Sequence, residues 1–264
     1  MIIGLYDSGL GGLSVWRELR HLNARFIYFG DTAHVPYGEK TPAQLQDYFW
    51  QILDFLQGKG CQGVVIACNT ASALVLPAVK PVVSMPVIGI IEAAVQGCLQ
   101  VGQGRLGVLA TQATVDSEVY QQAFREARPN WQVFVHGAPQ LASLVEQGQA
   151  TESATKRVVA EYLEPLIAQN IDTLLLGCTH YPFLRPLVEE VVGSSVQIVD
   201  PAPILAEQVS CWLDILDSRQ DRQGPSTEFW VSAHPERFQM VAQSLLQEEI
   251  PPVGVYKLSG ANHL

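Results

Sequence analysis

The sequence predicts an α/β fold of two similar lobes. Each lobe is a mainly parallel sheet flanked by helices, and the two are related by a pseudo-two-fold axis with a site between them. Three observations predict it. Short continuous apolar runs alternate with helix-compatible segments along the whole chain, as in a parallel sheet covered on both faces. The pattern restarts after about 100 residues, a period too long for a solenoid. One corner is written twice, as "VVIACNTASA" (Val64–Ala73) and "TLLLGCTHYPFL" (Thr173–Leu184): an apolar run, a small residue, a cysteine, then small polar residues or an imidazole.

The elements follow in order. "IIGLYD" (Ile2–Asp7) reads as a buried strand and "SVWRELRHL" (Ser14–Leu22) as an amphipathic helix. "RFIYFGD" (Arg25–Asp31) is the next strand. "TPAQLQDYFWQILDFLQGKG" (Thr41–Gly60) is a helix with a Thr N-cap, Pro at its first position and a Gly stop. "GVVIA" (Gly63–Ala67) and "PVIGI" (Pro86–Ile90) are strands. The restart gives a strand at "RLGVLAT" (Arg105–Thr111), a single helix around Val115–Ala127 and a strand at "WQVFVH" (Trp131–His136). A helix around Thr151–Gln169 then precedes strands at "DTLLLG" (Asp172–Gly177) and "VQIVD" (Val196–Asp200). In this divergent repeat "IIGLYDSG" parallels "RLGVLATQ", "VVIACNT" parallels "LLLGCTH" and "PVIGI" parallels "VQIVD". The tail, with strands at "EFWVS" (Glu228–Ser232) and "GVYKL" (Gly254–Leu258) and a helix from His234, is too short for a third lobe. It is expected to fold back on the first. The expected lobes are 1–95 plus 205–264, carrying Cys68, and 96–204, carrying Cys178.

Bulk properties exclude several classes. The 264 residues are 48% hydrophobic and 16% charged, which suits a soluble protein with a real core. A net charge of −10 argues against nucleic acid and against an anionic membrane surface as partners. No run of about 18 apolar residues could span a membrane. "MIIGLYDSGLGG" has no basic lead before its apolar run, which argues against a secretory leader. The five cysteines, Cys61, Cys68, Cys98, Cys178 and Cys211, are odd in number and lack C-x-x-C pairs. They read as reduced thiols in the cytoplasm, with no zinc or other metal site.

Ligands of parallel α/β sheets bind beyond the carboxyl ends of the strands. Cys68 and Cys178 both fall there. Each precedes an expected helix start, whose partial positive charge would lower a thiol pKa and offer N–H groups to an anion. Asn69, Thr70, Thr179 and His180 add donors. In "YDSGLGG" (Tyr6–Gly12), Asp7 ends a strand, and Gly9, Gly11 and Gly12 would let backbone approach a ligand. Asp7 and Ser8 read equally well as a helix cap, and the loop lacks dinucleotide or Walker spacing. "GDTAHVPYGEK" (Gly30–Lys40), with Asp31, His34, Tyr37 and Gly38, reads on its own as structural. Cys61, Cys98 and Cys211 read as inert small hydrophobes. Two thiols at matched corners suit proton transfer to and from both faces of one carbon, which needs no cofactor. Asp7 and His180 are candidates to manage the thiols' protons. The lysines, Lys40, Lys59, Lys80, Lys156 and Lys257, read as loop or surface positions, which argues against pyridoxal phosphate.

"YDSGLGG", "GDTAHVPYG", "ACNTASA" and "GCTHYPFL", in this order, resemble the glutamate racemases of the cofactor-independent aspartate/glutamate racemase family. The similarity runs from residue 2 to "VDP" (Val199–Pro201). It implies two α/β lobes with the site between them and interconversion of L- and D-glutamate, with D-glutamate supplied to peptidoglycan. By position, Cys68 resembles the base acting on D-glutamate and Cys178 the base acting on L-glutamate, with Asp7 and His180 as their partners. Ser8, Tyr37, Gly38, Asn69, Thr70 and Thr179 resemble substrate-binding residues, joined by Asp7 and His180. Glu146, in "LVEQG", resembles an acidic residue near the second cysteine; otherwise it reads as an exposed helix-end carboxylate. A cytoplasmic homodimer is implied. The chain departs from the family at Ala138, where a cysteine is common, and at "WVSAHPERF", which replaces a Thr-Gly-Asp type turn; neither touches the cysteine pair. No arginine lies in the four motifs, so neutral donors would hold the substrate carboxylates. Aspartate racemisation, one methylene shorter in substrate, and a non-catalytic amino-acid-binding or regulatory role are the alternatives.

Overall fold

The computed structural model describes residues 1–216 and 224–259. The first four strands are β1 (Ile2–Asp7), β2 (Arg25–Gly30), β3 (Gly63–Ile66) and β4 (Val87–Gly89). The next four are β5 (Arg105–Ala110), β6 (Gln132–Gly137), β7 (Thr173–Gly177) and β8 (Gln197–Val199). The tail adds β9 (Ser226–Val231) and β10 (Val253–Val255). They form two sheets, ordered β10-β9-β2-β1-β3-β4 and β6-β5-β7-β8, and every pairing is parallel. The order β2-β1-β3-β4 recurs as β6-β5-β7-β8, so the repeat read in the sequence is a repeat of topology.

Register fixes where the chemistry sits. Tyr6 on β1 lies level with Phe29 and Ile66, and Ala110 on β5 lies level with Gly137 and Gly177. The residues that leave β1, β3, β5 and β7 therefore emerge at the carboxyl edges of their sheets. Each central strand is buried on both faces. Ile3 and Leu5 enter one core cluster while Tyr6 enters another; Leu174 and Leu176 face one cluster while Leu175 faces another. This period of two explains why these strands are continuously apolar rather than alternating.

The helix Pro42–Gly58 starts as its sequence indicates. Thr41 Oγ1 accepts from Gln44 N at 3.3 Å, and Gln44 Oε1 accepts from Thr41 N at 3.0 Å, a reciprocal capping box. Gly60, at φ +80°, turns the chain out of the helix. The tail strand β9 extends the first sheet beside β2, and Trp16 Nε1 donates to Thr227 Oγ1 at 2.9 Å. The helix that follows β5 differs from expectation. The segment read as one helix around Val115–Ala127 is two helices, Gln112–Asp116 and Val119–Ala127, and Glu118 stands between them at φ 54°. Thr111 caps the first of these through Thr114 N. Among the described residues no helix is long and apolar enough to cross a membrane.

Cys61 and Cys98 are buried in these cores, and burial pushes each thiol up to about 12 from an ordinary value of 9.0. The unfolded chain would then ionise while the folded chain stays protonated. Stability from this source is complete below about pH 9 and falls as the pH climbs toward 12. At one pH unit above the ordinary value the two thiols together should cost roughly 3 kcal/mol. Urea unfolding from pH 8 to 10.5 checks this: a Cys61→Ala/Cys98→Ala variant should lose stability less steeply than the parent. Parallel slopes would contradict it.

Candidate active site

The two cysteine corners face one cavity between the lobes. Ser8, Tyr37, Gly38, Cys68, Asn69 and Thr70 line it from the first lobe. Thr111, Gln112, Pro139, Ala142, Cys178, Thr179 and His180 line it from the second. Among the described residues no lysine or arginine lines it, so the donors they offer are neutral side chains, backbone N–H groups and one imidazole. Among the described residues no three His, Cys, Asp or Glu side chains group as metal ligands would.

Cys68 is the N-cap residue of the helix Asn69–Leu74 and is almost fully buried. Its Sγ donates to Ser8 Oγ at 3.8 Å. Burial, then the charge of Asp7, pushes the thiol up to about 12, against the opposing pull of Ala71 N–H and Ser8. The expectation that a helix start would lower this pKa is corrected. A helix end contributes about 1 kcal/mol or less to a charge, and this helix has only six residues; desolvation outweighs it. Burial thus favours the neutral thiol at Cys68.

The Cys178 corner is built differently. β7 ends at Gly177, a turn follows, and a 3-10 turn spans Tyr181–Leu184 before the helix Arg185–Val192 begins. The α-helix expected directly after Cys178 is therefore not there; Pro182 and Pro186 lack the N–H groups a helix from Thr179 would need inside it. Positive charge comes instead from His180, whose Nδ1 is 3.6 Å from Cys178 Sγ. Burial works against the His180 charge, but the hydrogen bonds to Cys178 and Glu146 and their negative charge hold its pKa well above the ordinary value.

Glu146 belongs to this corner. It ends the helix Pro139–Glu146, and its side chain is only 15% exposed, so it is not an exposed helix-end carboxylate. Its Oε1 meets His180 Nε2 at 2.7 Å and accepts from Leu10 N at 2.7 Å. Asp7 is fully buried. One of its oxygens accepts from Gly9 N at 3.0 Å and the other from Thr179 Oγ1, across the cleft, at 3.1 Å. Burial pushes its carboxyl up, and the charge of His180 opposes that rise. Asp7 and Glu146 do not line the cavity; both hold residues that do. Ser14 Oγ donates to Thr179 O at 2.9 Å, a further tie between the lobes.

The glycines of "YDSGLGG" were expected to admit a ligand. They admit the protein's own side chains instead. A Cβ on Gly9 would stand 2.2 Å from Glu146 Oε1, and one on Gly11 would stand 2.4 Å from Thr179 Oγ1. The Gly30–Lys40 loop, read alone as structural, delivers Tyr37 and Gly38 to the cavity. Tyr37 OH donates to Asp31 Oδ2 at 2.7 Å and accepts from Tyr6 OH at 2.8 Å. Asp31 also meets His34 Nδ1 at 2.8 Å and accepts from Ser232 Oγ at 2.6 Å. The divergent "WVSAHPERF" segment thus braces the loop.

Sequence reasoning missed Thr111, Thr114 and Tyr120. Thr70 Oγ1 lies 2.9 Å from Thr111 Oγ1 and 3.3 Å from Thr114 Oγ1, a hydroxyl cluster that joins the lobes. The signal was present: in the repeat, Thr111 occupies the position of Ser8. Tyr120 OH donates to Asn69 Oδ1, while Asn69 Nδ2 is buried with no partner among the described residues. A buried unpaired donor costs about 1–3 kcal/mol. Asn69 is among the residues that line the cavity, where a ligand acceptor would be a partner for this amide.

The model of the family described as Asp/Glu/hydantoin racemase matches residues 17–209. A glutamate racemase of Desulforudis audaxviator is 41% identical over 263 residues, covering 95% of this chain and 96% of that protein. A glutamate racemase isoform from Bacillus anthracis superposes with a TM-score of 0.90 at 31% identity, covering 98% of this chain and 97% of the other. The Francisella tularensis glutamate racemase, solved in complex with D-glutamate, gives 0.87 at 31% identity, with 97% of each chain covered.

Proposed function

The chain belongs to the Asp/Glu/hydantoin racemase family, and on that premise we propose that it interconverts L- and D-glutamate by two-base proton transfer without a cofactor. It is an amino-acid racemase, an isomerase. One observation carries the mechanism: Cys68 and Cys178 leave equivalent strands of the two lobes and line the same cavity. One sulfur, as thiolate, takes the α-proton from one face of the substrate. The other, as thiol, gives its own proton to the opposite face. The α C–H and one S–H bond break, and a new C–H and a new S–H form, so no oxidant or reductant is required.

The partners divide the work. His180 compensates charge on Cys178, and Asp7 with Ser8 attends Cys68. In the direction that consumes L-glutamate, Cys178 is the base and Cys68 the acid. Ser8, Tyr37, Gly38, Asn69, Thr70 and Thr179 supply short-range donors to the substrate's two carboxylates, and the free Asn69 amide supports that assignment. Neutral donors suffice in a closed cleft despite the chain's acidity. The product enters peptidoglycan synthesis. A cytoplasmic homodimer follows from the family resemblance, and sedimentation equilibrium reads the dimer.

The test is L-glutamate in heavy water with no cofactor added, followed by optical rotation and by deuterium at the α-carbon. Loss of rotation with deuterium incorporation is expected, and the same assay with L-aspartate should be slower by at least tenfold. Retained rotation with glutamate would overturn the reading.

A further inference from the structure

Asn69 and Tyr120 meet across the cleft. Asn69 directly follows Cys68 and opens the helix Asn69–Leu74 in the first lobe. Tyr120 stands in the helix Val119–Ala127 of the second lobe and is fully buried. Its OH donates to Asn69 Oδ1 and has no other partner among the described residues. Burial pushes that hydroxyl well above its ordinary pKa, so it keeps the proton it donates. The ring sits at the other cysteine corner: a Cβ on Gly177, the residue before Cys178, would stand 3.3 Å from Tyr120 Cε2. One side chain therefore lies against the chain neighbours of both thiols.

The local backbone is bent to make this meeting. Glu118, a non-glycine residue at φ 54°, breaks the chain just before the Tyr120 helix, a conformation that side chains disfavour. A single helix running through Glu118 would carry Tyr120 along a different axis. The amide it reaches has one accepting and one donating end. Asn69 Nδ2 is buried without a partner among the described residues, and Asn69 lines the cavity. With Oδ1 engaged by Tyr120, the donating end is the one left for a ligand. Turned over, the amide would offer its carbonyl oxygen to a carboxylate, which repels it. Among the described residues only the Tyr120 hydroxyl holds the Asn69 side chain and so selects between the two orientations.

We propose that Tyr120 is a positioning residue for substrate binding: from the second lobe it fixes the Asn69 amide so that Nδ2 meets a carboxylate of the substrate held between the cysteines. The inference rests on the reading of this cavity as a glutamate site. Tyr120 is not among the residues that line the cavity, and it acts on the substrate through Asn69. Neither proton transfer runs through it. Its loss should therefore weaken binding of substrate and transition state alike, which raises KM and spares kcat.

Tyr120→Phe removes the hydroxyl and keeps the ring against Gly177. A double-mutant cycle with Asn69→Ala separates positioning from packing, because a hydroxyl that acts through Asn69 has nothing to orient once that amide is gone. Racemic glutamate is titrated by calorimetry into the parent, the two single variants and the double variant; at racemic composition no net turnover adds heat. Tyr120→Phe should weaken affinity at least about fivefold in the parent and less than about twofold in the Asn69→Ala background. The same cycle in kcat/KM, which is readable without saturation, should give the same pair of factors. In the parent background KM should rise for both enantiomers while kcat stays within about twofold. Undiminished affinity, an equal loss in both backgrounds, or a loss confined to kcat overturns the positioning role. A parent that binds glutamate without racemising it overturns the two-base reading and leaves the binding cycle to decide on Tyr120. A parent that binds no glutamate overturns both.

Discussion

Cys68→Ser and Cys178→Ser should each abolish racemisation while leaving glutamate binding nearly intact. A general acid or base contributes about 10²–10⁴-fold to the step it serves, and racemisation needs both steps. The hydroxyl that replaces each sulfur is a far weaker acid, so neither ready deprotonation nor ready donation survives. The volume change is small, and the corners are tied by groups other than sulfur, through Ser14 to Thr179 and Tyr120 to Asn69. Calorimetric titration with glutamate should therefore give an affinity within a few-fold of the parent. The variants should also differ from each other. Each keeps one base, which can still lift a proton from the enantiomer that faces it and return one to the same face. Cys178→Ser, which keeps the Cys68 base, should slowly exchange the α-hydrogen of D-glutamate with heavy water and spare L-glutamate. Cys68→Ser should do the opposite. Equal washout of both enantiomers in either variant would contradict the assignment of faces, and undiminished turnover would contradict the two-base mechanism.

The signals legible in the sequence were those that depend on one stretch of chain. Buried parallel strands need continuous apolar runs, so β1, β3, β5 and β7 could be read directly, and a repeat of such runs predicts the repeated strand order. The Thr41 cap could be read because its partner is three residues away. Signals that depend on the meeting of distant segments were not legible. Glu146 acquires its meaning from His180 and Leu10, which reach it only through tertiary structure. Thr111 and Thr70 belong to different lobes. The Cys68 pKa was misjudged because helix position is local while burial is a property of the whole fold. The break at Glu118 was also missed: a non-glycine residue at positive φ leaves little trace in composition, yet that break frames the short helix whose N-cap, Thr111, lines the cavity.

Gly11→Ala should come close to the cysteine variants in damage, although it adds only a methyl group and touches neither thiol. A Cβ there would lie 2.4 Å from Thr179 Oγ1, 2.6 Å from His180 Nδ1 and 2.7 Å from His180 Cε1. Gly11 does not occupy the left-handed region, so its backbone is open to alanine and the conflict is purely one of contact. Something must move, and the groups in the way are the donor to Asp7 and the imidazole beside Cys178. Overpacking of this kind costs about 1–3 kcal/mol in stability, which a folded chain of this size tolerates. A displacement of about 1 Å at a reacting group costs on the order of 10²-fold in rate. Gly11→Ala should therefore melt only a few degrees below the parent while kcat falls roughly a hundredfold. Gly58→Ala is the control, because a Cβ there meets nothing within 4 Å and the residue ends a helix. It should keep full activity and gain up to about 1 kcal/mol of stability. If Gly11→Ala retained parental kcat, the glycine would be excusing a contact that catalysis does not use, and the close approach of the "YDSGLGG" turn to the Cys178 corner would have to be explained by packing alone.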